Sequence, residues 1–285
     1  MIRPLAFIAV LALLSASAQA QDASPATPPP PVDPGADRLT IGVGPAVVPS
    51  YTGSDQYGIV PGIAIQGQVH GLAFASQGTA LWLDAIRGSG GVGWKAQAGP
   101  IAALRLDRTS RIQDSRVSGL GELRSAWEVG AWAGIQRTGV VTSPYDNVSA
   151  SVSYQADVHD AHRSYVVSPS VSYSTPLSRK DYVSLSAGSD WVGRGFGDYY
   201  YDISAAGAAA SGLDAYVGAD RAGWKDWNAS LLVAHAITGD LTHGLGLFAT
   251  GGYQRLLGRY ARSPIVADAG SPDQWNGAVG IEWTF

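Results

Sequence analysis

The strongest constraint on this chain is a period. From Leu39 to Phe285, apolar residues return at every second position, with small or polar residues between them. Val148, Ala150, Val152, Tyr154 and Ala156 alternate with Ser149, Ser151, Ser153, Gln155 and Asp157. Val183, Leu185, Ala187 and Trp191 face Ser184, Ser186 and Asp190, and Trp227, Ala229, Leu231 and Val233 face Asn228 and Ser230. The final stretch WNGAVGIEWTF repeats the pattern through Trp275, Val279, Ile281, Trp283 and Phe285. A period of two belongs to a strand with one apolar and one polar face. The runs approach the ~9–11 residues with which a tilted strand crosses a bilayer.

A soluble β-sandwich would alternate in the same way, so the chemistry of the two faces decides. The polar face of a sandwich meets bulk water and is usually charged. Here it is Ser, Gly, Asn and Gln, and lysine is nearly absent (Lys95, Lys180, Lys225). Small polar residues on one face and Val, Leu, Ala and Trp on the other fit a barrel with lipid outside and water inside. Aromatics near strand ends (Trp94, Tyr165, Tyr182, Trp227, Tyr253 and Trp283) are expected to form the interfacial girdles. The expectation is an all-β chain, folded as a transmembrane antiparallel up-and-down barrel over residues 38–285 and closed by its C-terminal strand.

The N-terminus supports that location. Arg3 precedes an apolar stretch, Leu5 to Leu14, and Ala18-Gln19-Ala20 fits a signal-peptidase site, with cleavage between Ala20 and Gln21. The apolar stretch is about half of the ~20 residues that a spanning helix needs. Residues 21–37, with four consecutive prolines, read as an extended solvated segment on the periplasmic side: a spacer, or a docking segment for a periplasmic protein. There is no cysteine, which excludes a disulfide framework, a lipid-modified N-terminal cysteine and thiolate metal sites. A net charge of −4 argues against nucleic acid as a partner.

Parity sets the strand count. Bacterial barrels have an even number of strands, short inner turns and long outer loops. Counting back from Phe285 gives an odd total unless residues 71–86 hold two short strands turning near Gln77-Gly78. That split gives about 12 strands, with 10 and 14 as open alternatives.

In the lumen phase the pattern places Arg105, Glu122, Arg124, Glu128, Asp190, Arg194 and Glu282. Both signs occur, which favours mutual pairing over a single-sign filter, and a narrow selective channel is the alternative. His159 and His162, beside Asp157 and Asp160, lack the convergent spacing of a metal site. His235 shares the phase of Leu231 and Val233, a lipid-interface position. A serine hydrolase would need a base within reach of a serine, oriented by a third group; no G-x-S-x-G elbow occurs. No cofactor and no enzymatic activity are expected.

Several stretches, in order, resemble the MipA/OmpV family. GVGPAVVPSYTGSDQYGIVPGIAI from Gly42 resembles its first hairpin, and DSRVSGLGELRSAWEVGAW from Asp114 its third-loop element. SGLDAYVGADRAGWKDWNASL from Ser211 and RLLGRYARSPIV from Arg255 resemble two later elements. The chain departs from the family pattern at Tyr199–Ile203 and at His159–His162, both in outer loops. The resemblance implies a non-enzymatic outer-membrane protein. It further implies a scaffold joining a periplasmic lytic transglycosylase to a peptidoglycan synthase, with adhesion or stress roles as alternatives. Outer-membrane barrels also resemble one another in ending on an aromatic, preceded by apolar residues at alternate positions, which the barrel assembly machinery reads. Val279, Ile281, Trp283 and Phe285 match that signal.

Overall fold

The computed structural model describes residues 37–87, 92–218 and 221–285. Its strands are β1 (Arg38–Pro49), β2 (Tyr57–Val69), β3 (Leu72–Gln77), β4 (Ala80–Asp84), β5 (Gly93–Arg105) and β6 (Ala126–Thr138). They continue with β7 (Asn147–Asp157), β8 (Tyr165–Pro176), β9 (Asp181–Val192), β10 (Gly223–Ala236), β11 (Gly244–Leu256) and β12 (Asp273–Thr284). Each strand pairs antiparallel with its sequence neighbours, and β12 closes the ring against β1. The result is a closed 12-stranded barrel. No described helix is long and apolar enough to cross a membrane. The signal segment, with Ala20 and Gln21, lies outside the described residues, as does the Pro-rich segment up to residue 36.

The dyad pattern has its expected physical outcome. Ile59, Ile63, Val152, Val171, Leu185, Ile281 and Trp283 are exposed on the outer wall, where an apolar surface is stable only against lipid. Trp94, Trp227, Trp275 and Trp283 lie on that wall near the rims. Tyr182 departs from the girdle: it is even-numbered on a strand whose odd residues face outward, and it lines the lumen.

We call the rim carrying both chain ends the inner rim. Its connections are short. His70 and Gly71, with φ of 51° and 78°, make the two-residue turn that joins β2 to β3, a backbone conformation suited to glycine. Residues 139–146, 177–180 and 237–243 make three more inner turns. Of the outer connections, β5–β6, β9–β10 and β11–β12 are long and carry five short helices. These are α1 (Ser115–Gly119), α2 (Arg194–Tyr200), α3 (Ala205–Ser211), α4 (Gly258–Ala261) and α5 (Pro264–Ala267).

The β3–β4 hairpin is the one irregular part of the wall. The parity rule predicted two short strands here, and they have 6 and 5 residues against 11 to 14 elsewhere. β3 registers with β2 only from Gln66 to Val69. The outer part of β2 is therefore paired on its β1 side alone. Odd-numbered β2 residues turn their backbone toward β3, as Ile65 shows by donating its N–H to Ser76 Oγ at 2.8 Å. Pro61, which has no N–H, occupies this free edge, a position where proline is tolerated. Above it Gln113 of the β5–β6 loop donates to the Tyr57 carbonyl at 3.2 Å.

Candidate functional site: a capped lumen

Four outer loops fold over one mouth of the barrel because their apolar residues have no other way out of water. Phe196, Tyr200 and Tyr201 of the β9–β10 loop pack with Tyr260 and Val266 of the β11–β12 loop and with the strand ends Val166, Val192 and Leu256. A second cluster joins Tyr51, Val117, Ile203, Leu213, Ile265 and Ala269, drawing in the β1–β2 and β5–β6 loops. Polar ties lock the layers. Tyr51 donates its hydroxyl to Ala269 O at 2.7 Å, and Ser263 donates to Tyr201 O at 2.6 Å. Burial pushes the Tyr260 phenol up to about 12.

Two ion clusters lie directly beneath. In the first, Arg105 donates from Nε and Nη2 to both oxygens of Glu128, at 2.8 and 2.7 Å, and His162 Nε2 lies 2.9 Å from Glu128 Oε1. All three side chains are nearly inaccessible. In the second, Lys225 Nζ lies 3.2 Å from Asp190 and 2.9 Å from Asp226, and Ser168 donates to Asp190 at 2.6 Å. The Phe196 ring sits between them, 4.9 Å from the Arg105 guanidinium and 5.5 Å from the Lys225 ammonium. The two cations are thus shared by carboxylates and one aromatic face.

Below this layer the cavity wall is built of neutral groups, with Asp84 its one charged side chain. A cavity of about 440 Å³ runs from the inner-rim residues Asn147, Ser174 and Tyr182 up to Ser168, Asn228 and Gln254. Serine hydroxyls bond across adjacent strands: Ser149 with Ser172 at 2.7 Å, Ser151 with Ser170 at 2.9 Å, Ser186 with Ser230 at 2.6 Å. Phe248 crosses the other side of the lumen, in space left by Gly42 and Gly280.

Of the seven charges the sequence placed in the lumen, the structure brings Arg105 and Glu128 together and puts Asp190 in the neighbouring cluster. Glu282 faces inward near the inner rim, half-buried beside Gly246. Glu122 and Arg124 are corrections: β6 begins only at Ala126, and the preceding residues belong to the cap. Leu123 N–H bonds to Arg108 O at 2.8 Å and Arg124 N–H to the Tyr199 hydroxyl at 2.8 Å, which ends the strand register. Leu123 itself packs under the cap instead of facing lipid. Arg194 is a third correction. β9 stops at Val192, and Arg194 opens α2 at the surface, 3.2 Å from Asp198.

Sequence reasoning missed Lys225, Asp226, His162 and Phe196. A β-bulge between Trp224 and Asp226 turns the consecutive Lys225 and Asp226 both inward, which a strict period of two cannot foresee. His162 is in a loop whose backbone is gathered by Asp157, which accepts from His159, His162 and Arg163 N–H groups. No cluster of three or more potential metal ligands occurs among the described residues. Val279, Ile281, Trp283 and Phe285 all lie on the lipid-facing side of β12, and Phe285 N–H bonds to Leu39 O at 2.9 Å across the closing seam.

Among solved structures, an outer membrane channel from Pseudomonas putida F1 is similar at 9% identity and a TM-score of 0.44, covering 88% of this chain and 96% of that one. A bacterial polysaccharide outer membrane secretin is similar at 11% identity and a TM-score of 0.34, covering 88% and 98%. No curated protein matches the sequence. The closed barrel and its apolar exterior belong in an outer membrane. The family model for the MltA-interacting protein MipA matches residues 41–285, and the chain belongs to that family.

Proposed function

We propose that this barrel is a non-enzymatic scaffold, shut toward the outside, whose inner rim docks periplasmic cell-wall enzymes. The family's description names MltA, a lytic transglycosylase, as the partner; the proposal adds a peptidoglycan synthase as the second enzyme. The observation that supports this reading is the rigidity built into the inner turns. Asp146 accepts the N–H groups of Val140 and Val141, at 2.6 and 2.8 Å, and that of Thr142. Asp240 accepts the Thr242 N–H at 2.9 Å, and Arg179 of the neighbouring turn reaches Asp240 at 3.4 Å. Ser178 Oγ accepts the N–H groups of Lys180 and Asp181, both at 3.0 Å. A surface held in one conformation before binding loses less entropy on docking.

The test is capture of the two purified enzymes by the detergent-solubilised barrel, repeated without residues 21–37 and with Arg179→Glu and Lys180→Glu. Capture by the wild type and its loss in these variants are expected. Failure to capture either enzyme overturns the reading. Stepwise conductance in planar bilayers, altered by Glu128→Lys, would favour a narrow channel; silent bilayers and binding to host surfaces would favour adhesion.

A further inference from the structure

We propose that the neutral lumen beneath the ion clusters is a binding site for a short uncharged saccharide. The chemistry of the wall narrows the choice of ligand. The cavity of about 440 Å³ lies within the ~300–1,000 Å³ usual for small-molecule sites. Its charged groups are already satisfied. Asp84 accepts from Lys95 Nζ at 3.1 Å, from Gln97 Nε2 at 3.3 Å and from the N–H groups of Ile86 and Ala98. The remaining charges of the outer half are held in the two clusters above. An anionic ligand would meet no available cation there, and a lipid chain would strand a wall of hydroxyls.

A polyol fits what is left. In each Ser–Ser pair one hydroxyl proton is used between the two oxygens, leaving one proton and several lone pairs for a third partner. The carboxamides of Asn147, Asn228 and Gln254 are each oriented by one bond to the wall, to Thr138 for the first and to Asp226 for the other two. Their carbonyl oxygens are directed by that bond, while Gln136 and Asn276 add further amides to the lining. Hydroxyls and amides in both donor and acceptor roles match a sugar's ring of hydroxyls.

An apolar platform completes the site. Trp82 and Trp132 both line the cavity and meet edge to face at 5.6 Å. Trp132 donates its indole N–H to Leu83 O at 3.0 Å, which fixes its ring against the short hairpin. The C–H face of a pyranose packs on such rings, and the combination of aromatic face and neutral hydrogen-bonding groups discriminates sugars from ions and from lipids.

This inference does not depend on the scaffold reading. The test uses the full barrel in a zwitterionic detergent without a sugar headgroup. The probes are maltose, cellobiose and di-N-acetylchitobiose, with gluconate as the anionic control, followed by calorimetry and ligand-observed NMR. Saturable binding of at least one neutral disaccharide and none of gluconate is expected. Trp82→Ala should weaken it roughly tenfold or more, on the scale of losing one aromatic contact and its neighbours. Ser172→Phe, which fills the lumen from β8, should abolish it while heat-modifiable migration persists, and the lipid-facing Trp227→Ala should leave it unchanged. Absence of binding by all three disaccharides, equal binding of gluconate, or undiminished binding by folded Ser172→Phe would each overturn the proposal. Enzyme capture that survives Ser172→Phe keeps the scaffold question separate.

Discussion

Replacing Glu128 by leucine should be among the most damaging single changes in the barrel, and replacing Arg105 together with it should be milder. Glu128 holds Arg105 through two bonds of 2.8 and 2.7 Å, with both side chains all but inaccessible. At 2.7 Å and an effective dielectric of about 20, their attraction is about 6 kcal/mol. Much of that offsets desolvation, so the pair adds little net stability over an apolar pair of the same shape. Removing the carboxylate alone leaves a buried guanidinium whose remaining partner is the Phe196 face, worth ~0.5–2 kcal/mol. The expected cost of Glu128→Leu is therefore about 3–5 kcal/mol. In Arg105→Met/Glu128→Leu the stranded cation is gone. The residual cost is a lost acceptor for His162, about 1–3 kcal/mol. Urea unfolding of the barrel in lipid vesicles, followed by tryptophan fluorescence, measures Glu128→Leu, Arg105→Met and the double variant. A double variant as destabilised as the sum of the two singles would refute the reasoning, because uncoupled costs mean that the charges do not depend on each other.

Two further outcomes follow from the seam and the inner turns. Deleting Phe285, or changing it to Asp, should reduce insertion into the outer membrane of cells far more than refolding into detergent. As an interfacial anchor alone the side chain is worth roughly 2–3 kcal/mol, so equal cellular yields would remove the targeting role of the terminal strand. Asp146 links pH to stability. Desolvation raises its carboxyl, but the N–H groups of Thr142, Val140 and Val141 outweigh this and hold it well below the usual carboxylate range. A depressed folded pKa stabilises the turn above the unfolded value near ~4, and the gain fades as pH falls toward the folded pKa. Asp146→Asn should therefore be less stable than wild type at pH 7, with the gap closing in strong acid; a gap independent of pH in urea titrations would contradict this.

The barrel was legible in the sequence because its two solvents differ so sharply. Lipid and water impose opposite residue types on alternate positions, and runs such as Val148–Asp157 record that with little noise. Even the short hairpin followed from parity, since β3 and β4 contribute a turn near Gln77-Gly78 without adding much apolar pattern. The cap was not legible. Its helices have 4 to 7 residues, too short for a helical period to emerge, and Tyr200, Tyr201 and Tyr260 are scattered across two loops. Extending the strand phase into those loops misplaced Glu122, Arg124 and Arg194, because Gly121 with φ of 84° and the α2 N-terminus break the register first. Lys225 escaped notice for a local reason, the bulge that turns two neighbours to the same side.

The half-height hairpin decides where this ring is weakest. Closure joins β12 to β1 through registered pairs from Thr40–Thr284 to Val47–Gly277, whereas β4 meets β5 in a short ladder from Ala80–Ala103 to Trp82–Ile101, flanked by single bonds from Leu104 N–H to Thr79 O and from Ala85 N–H to Ala98 O. Local opening follows the number of hydrogen bonds that must break together. When the wall breathes, it parts beside the hairpin, and the seam that the chain ends form stays shut. Amide protons of β3 and β4 should exchange with solvent well before those of β12. The bilayer thus faces a ring whose clasp lies four strands away from the point where the chain was closed, and any molecule passing sideways between lumen and lipid would do so there.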